Sequence, residues 1–315
     1  MAEFFIKKFV RMIITLIIAT FAVFILIQNA PSDPVTMMLT KPDEMLVSSD
    51  KELLEQKIQE TKEEFGLNDH ILIQYKNWMQ NILSGRMGKS LITKVDIASY
   101  IAKVLPSSVL IALVGTLLQL VFALIAGVLS VVYVSKWQEH AIRLVAIFLR
   151  SVPFFAIGFA MLMYFSVNLK IYEVSNSAAL SRLWLPAFAV GITIFPKLSR
   201  IIRNSLLDEM GKTYMVAYVA KGFDKRKLIA EALQNTMIPI FTTLSMSFAS
   251  SVGGMVITER IFSWPGIGNF GMSSVITQDY PAVQAYVLVI TFIVVIVNFL
   301  SDMLYPLINP VVREE

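Results

Sequence analysis

The stretch DEMGKTYMVAYVAKGF, Asp208 to Phe223, decides between two folds. It holds Gly211-Lys212-Thr213, the closing triplet of the loop that cradles phosphates between a strand and a helix in nucleotide hydrolases. Gly88-Lys89-Ser90 repeats that triplet type. The complete loop needs a glycine five residues ahead of the second one, so that the backbone curls around the phosphates. Leu206 stands at that place before Gly211, and Leu83 before Gly88. Neither triplet follows a buried strand pattern. The question becomes why a basic, glycine-punctuated helix sits in mid-chain.

Of the 315 residues, 56% are hydrophobic and 16% are charged, with a mean hydropathy of +0.67. A soluble domain carries about a quarter charged residues. The apolar residues fall in long runs, as membrane spans require. Cysteine is absent, which excludes disulfides and thiolate metal sites. Net charge is +4, but its distribution among the loops is more informative.

Lys7, Lys8 and Arg11 precede an apolar run from Met12 to Ile27. A secretory signal has a core of only about 7–15 residues and a small-x-small cleavage site. Phe9 to Ile27 is nearer the roughly 20 residues of a spanning helix, and Gln28-Asn29-Ala30-Pro31 makes a poor cleavage site. An uncleaved first span is expected. Further apolar stretches run from Ser107 to Val134, Ala141 to Val167, Leu183 to about Phe195, Ile238 to Thr258, and Val283 to Ile308. The fourth is expected to continue as helix through Ile201-Ile202, and Pro153 reads as a kink in the third, since neighbours can satisfy the freed carbonyl.

The fold class is therefore all-α: a polytopic membrane protein with six spans and both termini on one side. Lys197, Arg200, Arg203, Lys212, Lys221, Lys225, Arg226 and Lys227 outnumber Asp208, Glu209, Asp224 and Glu231 in the loop 197–237. With the basic N-terminus, that excess marks the cytoplasmic side. The organisation expected is 1–29 for the N-terminus and first span, 30–106 for an outer helical segment, and 107–315 for the core, with an inner loop at 203–238. In the outer segment Leu53, Leu54, Ile58 and Phe65 give Asp50 to Phe65 an amphipathic period, with Asp50 as N-cap and Gly66 as stop. A second short helix is expected over Ile71 to Leu83.

In the inner loop, Gly211 should break the helix leaving the fourth span. A short helix over 212–222 follows, with Gly222 placed for a left-handed cap. Tyr214, Ala217, Tyr218 and Lys221 share a face at three-and-four spacing. The small Ala217 and Ala220 would let a partner surface approach. Asp224 caps a second helix through Gln234. The same spacing also fits an ordinary basic loop with a glycine stop.

YMVAYVAKGFDKRKLIAEALQNTMIP resembles the cytoplasmic loop of bacterial ABC-importer permeases of the oligopeptide/dipeptide/nickel branch, through Ala217, Lys221, Gly222, Asn235 and Pro239. Val216 stands where other importers often carry Glu. The resemblance extends along nearly the whole chain. It runs through Pro31, Asp33 and Pro34, then Gly66, Leu67, Gln74, Tyr75, Trp78, Gly88 and Ser90, then RSVPFF and LPAFAVG, and ends in NPVVRE. Its most specific part is ERIFSWPGIGNF with QDYP: Glu259, Phe262, Trp264, Pro265, Gly266, Gly268, Asp279, Tyr280 and Pro281.

The resemblance implies a type I importer permease fold in the bacterial plasma membrane. It implies a homologous second permease, two ABC ATPases that bind ATP and Mg, and an extracytoplasmic binding protein. Tyr214, Ala217, Tyr218, Ala220, Lys221 and Gly222 would form the ATPase-coupling helix. Glu259, Phe262, Trp264, Pro265, Gly266, Gly268 and Asp279 would serve an outer gate or binding-protein contact. Read without the family, Phe262 and Trp264 are interface anchors, Pro265-Gly266 is a tight turn, and the whole is a folded interfacial loop. Peptides are the expected cargo, with nickel or a metal–metallophore complex as the alternative.

Lipid is an expected partner, and nucleic acid is not. No catalytic residue, metal site or cofactor is expected in this chain. His70 and His140 are isolated, and the serines near Pro153 have no base partner. A secondary transporter would show internal repeats and paired intramembrane acids, and neither is visible. Asp302, the one acid in the sixth span, reads as structural. Arg150 is open between facing the pathway and snorkelling inward.

Overall fold

The computed structural model describes residues 2–28, 59 and 69–308, and the expected helix from Asp50 to Phe65 lies, Gln59 apart, outside them. In chain order the helices are α1 (Ala2–Gln28), α2 (Ile71–Leu83), α3 (Ile97–Val132), α4 (Trp137–Ser151), α5 (Phe154–Leu162), α6 (Trp184–Met210), α7 (Thr213–Ala220), α8 (Lys225–Asn235), α9 (Met237–Gly253), α10 (Met255–Ile261), α11 (Ile267–Ile276) and α12 (Tyr280–Ile308). A π-helical turn, Met163–Asn168, extends α5. The described residues contain no strand.

Four helical stretches are long and apolar enough to cross a bilayer: 6–26, 97–132, 180–210 and 280–303. Two bent pairs bring the number to six, α4 with α5 and α9 with α10. The fourth span exceeds its apolar core and runs to Met210, with Pro196 inside it. The kink expected at Pro153 is instead a break: α4 and the α5 segment meet at 97°. Val152 and Pro153 are extended, with ψ of 129° and 139°, as a residue before proline and a residue at a helix N-cap prefer. A second bend, 56° at Gly254, divides the fifth span.

The chain forms two compact units. The larger holds 105–269 with the start of α1 and the end of α12. Its core joins Ala123 and Val131 of α3 to Leu198, Ile202 and Leu206 of α6, then to Met215, Ile229, Ala232 and Ile240. Small residues set the approach of α3 to α6. A Cβ on Gly127 would lie 2.7 Å from Ile202 Cγ2, and one on Gly191 would lie 2.7 Å from Leu118 Cβ. Close backbone approach at glycine is how membrane helices gain contact without a hydrophobic driving force. Gln119 Nε2 donates to Ser247 Oγ at 3.1 Å and joins α3 to α9. Lys8 pairs with Asp302 at 2.7 Å, so the acid in the sixth span has its cation.

The second unit holds 14–104 and 270–292. Helix α2 covers the range read from the sequence, and His70 caps it by accepting from the Leu72 amide at Nδ1, 3.4 Å away. Tyr75 bonds Thr20 Oγ1 at 2.8 Å and meets Phe21 and Phe24 edge-on, at centroid distances of 5.0 and 5.6 Å.

Gly127→Leu should force α3 from α6. Overpacking of this kind costs about 1–3 kcal/mol. A lowered melting temperature of the detergent-solubilised protein, by several degrees, is the expected readout. Leu129→Val, on the exposed side of the same turn, should leave that temperature nearly unchanged.

Candidate functional site

Helix α7 is short, and its ends are chemically fixed. The Lys221 carbonyl leads into Gly222 at φ +77°, the left-handed region that glycine enters without cost. The Gly222 amide donates to Val219 O at 2.9 Å and the Phe223 amide to Tyr218 O at 3.1 Å. That pair of bonds is the Schellman arrangement, and the apolar contact that accompanies it is present as Phe223 stacked on Tyr218, 5.0 Å apart and 17° from parallel. Asp224 then caps α8 through the Lys227 amide at 3.1 Å.

One side of α7 is tied down. Met215 is buried. The Tyr214 hydroxyl donates to Glu209 Oε1 and accepts from Asn235 Nδ2 at 2.8 Å. Burial first, and then the Glu209 carboxylate, push the Tyr214 phenol up, so it stays a donor. Lys212 of the Gly-Lys-Thr triplet pairs with Glu209 at 2.5 Å, a structural contact. The other side is open and apolar: Val216 is 65% exposed and Val219 58%, with Ala217 and Ala220 exposed beside them. The face shared by Tyr214, Ala217, Tyr218 and Lys221 is thus divided. The two tyrosines are half-buried and pack edge-on, whereas the alanines and Lys221 remain exposed. Val216 and Val219, which spacing did not single out, complete the open side.

Glu139 fastens α4 to the rest of this unit. It accepts from the Ser135 amide at 2.7 Å, from Arg143 at 2.7 Å and from Arg203 Nε of α6 at 2.8 Å. Ser135 holds φ at +62°, which aims its amide at the carboxylate.

The loop after the fifth span is built around a buried carboxylate. Glu259 is fully buried; Oε1 accepts from Ser108 Oγ at 2.5 Å and Oε2 from the Asn269 amide at 2.6 Å. Ser108 in turn accepts from the Ile267 amide at 2.8 Å. Gly266 leaves the room this needs, since a Cβ there would lie 2.0 Å from Glu259 Oε1. Gly268 lets the chain pass Val256, where a Cβ would lie 2.7 Å from its amide nitrogen. Phe262 and Trp264, expected as interface anchors, are instead wholly buried. The reason is Arg182, whose guanidinium donates to Phe262 O at 2.9 Å and Glu173 O at 2.8 Å and lies over the Tyr172 and Trp264 rings. Arg182 and Ser108 escaped notice in the sequence because they lie 80 and 151 residues from their partners.

Asp279 belongs to the second unit. It accepts from Ser90 Oγ at 2.5 Å and the Leu91 amide at 3.1 Å. The triplet Gly88-Lys89-Ser90 is therefore one side of a tight turn, with Gly88 at φ +80° and a bridge from Lys89 to Asp96.

A cavity of about 600 Å³ lies in the larger unit, where the α4–α5 break, the middle of α6 and the α9–α10 break face one another. Its wall carries Arg150, Lys197 and the hydroxyl-bearing Thr193, Ser247, Ser250 and Ser251. No group of three or more metal-ligating side chains exists among the described residues.

Residues 119–314 match the family described as binding-protein-dependent transport system inner membrane component, and residues 1–112 match the N-terminal family of the same membrane components. The metal-staphylopine import system permease protein CntB of Staphylococcus aureus is 29% identical over 314 residues, covering 100% of this chain and 99% of its own. The oligopeptide transport system permease protein AppB of Bacillus subtilis is 30% identical over 322 residues, covering 98% and 99%. The glutathione transport system permease protein GsiC of Escherichia coli is 26% identical, covering 99% of both chains. Two inward-facing crystal forms of the MetNI methionine ABC transporter share the fold, with TM-scores of 0.56 and 0.58 at 16% and 15% identity, over 66% and 67% of this chain and 96% of theirs.

Gly266→Ala should drive a methyl group into the Glu259 carboxylate and displace the loop. The expected result is a loss of thermal stability larger than that of Gly222→Ala, where a Cβ meets nothing within 4 Å. Asp279→Ala should release the turn at 88–96, read as faster hydrogen exchange of the Leu91 amide, by about tenfold or more.

Proposed function

The chain belongs to the family of binding-protein-dependent transport system inner membrane components and is a permease subunit of an ABC importer, and from that premise we propose how it engages its partners and what it carries. As an integral protein of the bacterial inner membrane, it works without bond chemistry of its own. ATP and Mg belong to two partner ATPases. The inner segment 203–238 meets those ATPases, and α7 with Gly222 is the contact. The N- and C-termini share the cytoplasmic side with it. A homologous second permease completes the path, and an extracytoplasmic binding protein delivers cargo to the outer face.

The observation that carries this reading is the division of α7 into a fastened side and an open one. An exposed surface of Val216, Ala217, Val219 and Ala220 has no apolar cover among the described residues. The opposite side is held by the Glu209–Tyr214–Asn235 bonds at the end of α6. A groove on a partner subunit could grip the open side, and the displacement would pass to α6. A rigid-body change of this type switches access between two states. Of the outer residues, Asp279, Glu259, Phe262, Trp264, Gly266 and Gly268 act by holding the shape of the outer turns, and Pro265 is the part-exposed member.

Peptides are the first cargo reading. AppB and GsiC are named for oligopeptide and glutathione transport, and both match nearly the full chain. Metal chelates are the second, since CntB is named for metal–staphylopine import and matches the full chain as well.

The test is the assembled importer in proteoliposomes, with labelled tripeptide and labelled metal chelate offered in parallel. Uptake of one of them should depend on ATP and on the binding protein. Ala217→Arg on the open side of α7 should cut uptake at least tenfold without lowering the melting temperature. Unchanged uptake in that variant would remove the contact assigned to α7. ATP hydrolysis by the purified chain alone would remove the division of labour.

A further inference from the structure

Two cations face the 600 Å³ cavity from positions that a membrane protein does not give to charges casually. Lys197 is the central residue of α6, Trp184–Met210. It is the first charged residue of that helix and follows its apolar stretch, 183–195, with Pro196 between. Arg150 stands at the last turn of α4, where the chain breaks at 97°. Charges on a spanning helix face water, a cavity or a partner group, and those that line a cavity mark pathways for substrate.

Among the described residues neither cation has a carboxylate: no Asp or Glu lines the cavity, and no side-chain hydrogen bond or ion pair joins Arg150 or Lys197 to another of them. The nearest acid on the adjoining groove, Glu139, is already held by Ser135, Arg143 and Arg203. Arg200, on that same groove, adds another positive charge. The field inside is therefore positive, and hydroxyls of Ser250, Ser251 and Thr193 line the wall beside it.

We propose that Arg150 and Lys197 form an anion subsite within the cavity and hold a carboxylate of the cargo as it crosses. A guanidinium meets a carboxylate with two parallel N–H···O bonds, and an ammonium adds a compact charge. The cargo is accordingly a carboxylate-bearing molecule. A peptide with a free C-terminus and a metal chelate with carboxylate arms share that chemistry, whereas a bare divalent cation would be repelled. The inference rests on the permease reading and names the chemical class that reading leaves open.

The experiment has two arms, both on the assembled importer. The first compares uptake of a labelled tripeptide and its C-terminal amide, each pre-bound to the binding protein at saturating concentration. With Arg150→Gln combined with Lys197→Gln, uptake of the acid should fall about tenfold or more and that of the amide less than twofold. Arg150→Lys should keep most of the acid uptake. Acid and amide falling together, or neither falling, would overturn the proposal.

The second arm needs no cargo. The chain has no cysteine, so Ser250→Cys places one thiol in the cavity wall, with partner cysteines replaced. A negatively charged methanethiosulfonate should label it about tenfold faster than a positively charged one, and the double variant should lose that preference. An absent preference overturns the subsite even if wild-type importer carries neither peptide nor chelate, a result that by itself would count only against the cargo reading. Protection of the thiol by phosphatidylglycerol vesicles, compared with phosphatidylcholine, would give the cations to lipid and overturn it also.

Discussion

A helix in hydrocarbon cannot stop halfway unless its freed N–H and C=O groups find partners or water. That constraint organises the larger unit. Its two mid-span interruptions, at Pro153 and Gly254, are not scattered. Both open onto the same cavity, beside the middle of α6. Each break is closed by a backbone bond to its own helix. Gly254 uses its own amide to cap α9 through Ser250 O at 2.9 Å, and the Val152 amide closes α4 on Phe148 O at 3.2 Å. The polar wall that results is a place where water or a polar solute can reside inside an otherwise apolar bundle.

Features set by local chemistry were legible in the sequence. Gly222 takes the left-handed cap, Asp224 caps α8, and α2 covers Ile71–Leu83, because each depends on residues within a turn. Periodicity placed Tyr214 and Tyr218 on one face of α7 but gave no sign of which way that face turns. Glu209 and Asn235 decide it, from outside the helix. Pro153 carries the same letter whether a helix kinks or breaks, and the extended conformations at 152 and 153 turned a kink into a right angle. The aromatic loop failed differently. Trp264 and Phe262 match the composition of an interfacial belt, yet Arg182 draws them inward. Ser90 looked like part of a phosphate loop and is a donor to Asp279, 189 residues away. Long-range pairings leave no trace in spacing.

The glycines divide by the kind of room they provide. Gly222 needs a backbone angle and has empty space around it. Gly266 needs the space itself, beside Glu259 and Ser108. A family pattern that preserves both letters would show them as equals, although one shapes a helix end and the other makes a seat for a buried carboxylate. The serine at 108 shows why the seat matters. It donates to Glu259 and accepts from Ile267, so one hydroxyl ties the start of α3's apolar stretch to two points on either side of the 262–266 loop.

Helix α6 links these places. Its C-terminal end carries Glu209, which anchors α7, and nearer its middle Arg203 is fastened to α4 through Glu139. Its centre bears Lys197 on the cavity, and the 3₁₀ turn Leu180–Arg182 leads into it with the guanidinium that pins Phe262. A rod of this length, held by charged or hydrogen-bonded contacts at its C-terminal end, in its C-terminal half and at the turn that leads into it, cannot tilt without moving the groups at all three. The glycine contacts with α3 sit between them, at Gly191 against Leu118 and at Gly127 against Ile202. Close-packed interiors have low compressibility and transmit strain. On the proposed engagement of α7, a displacement of that helix would pass to α6, whose middle lies on the cavity beside both helix breaks.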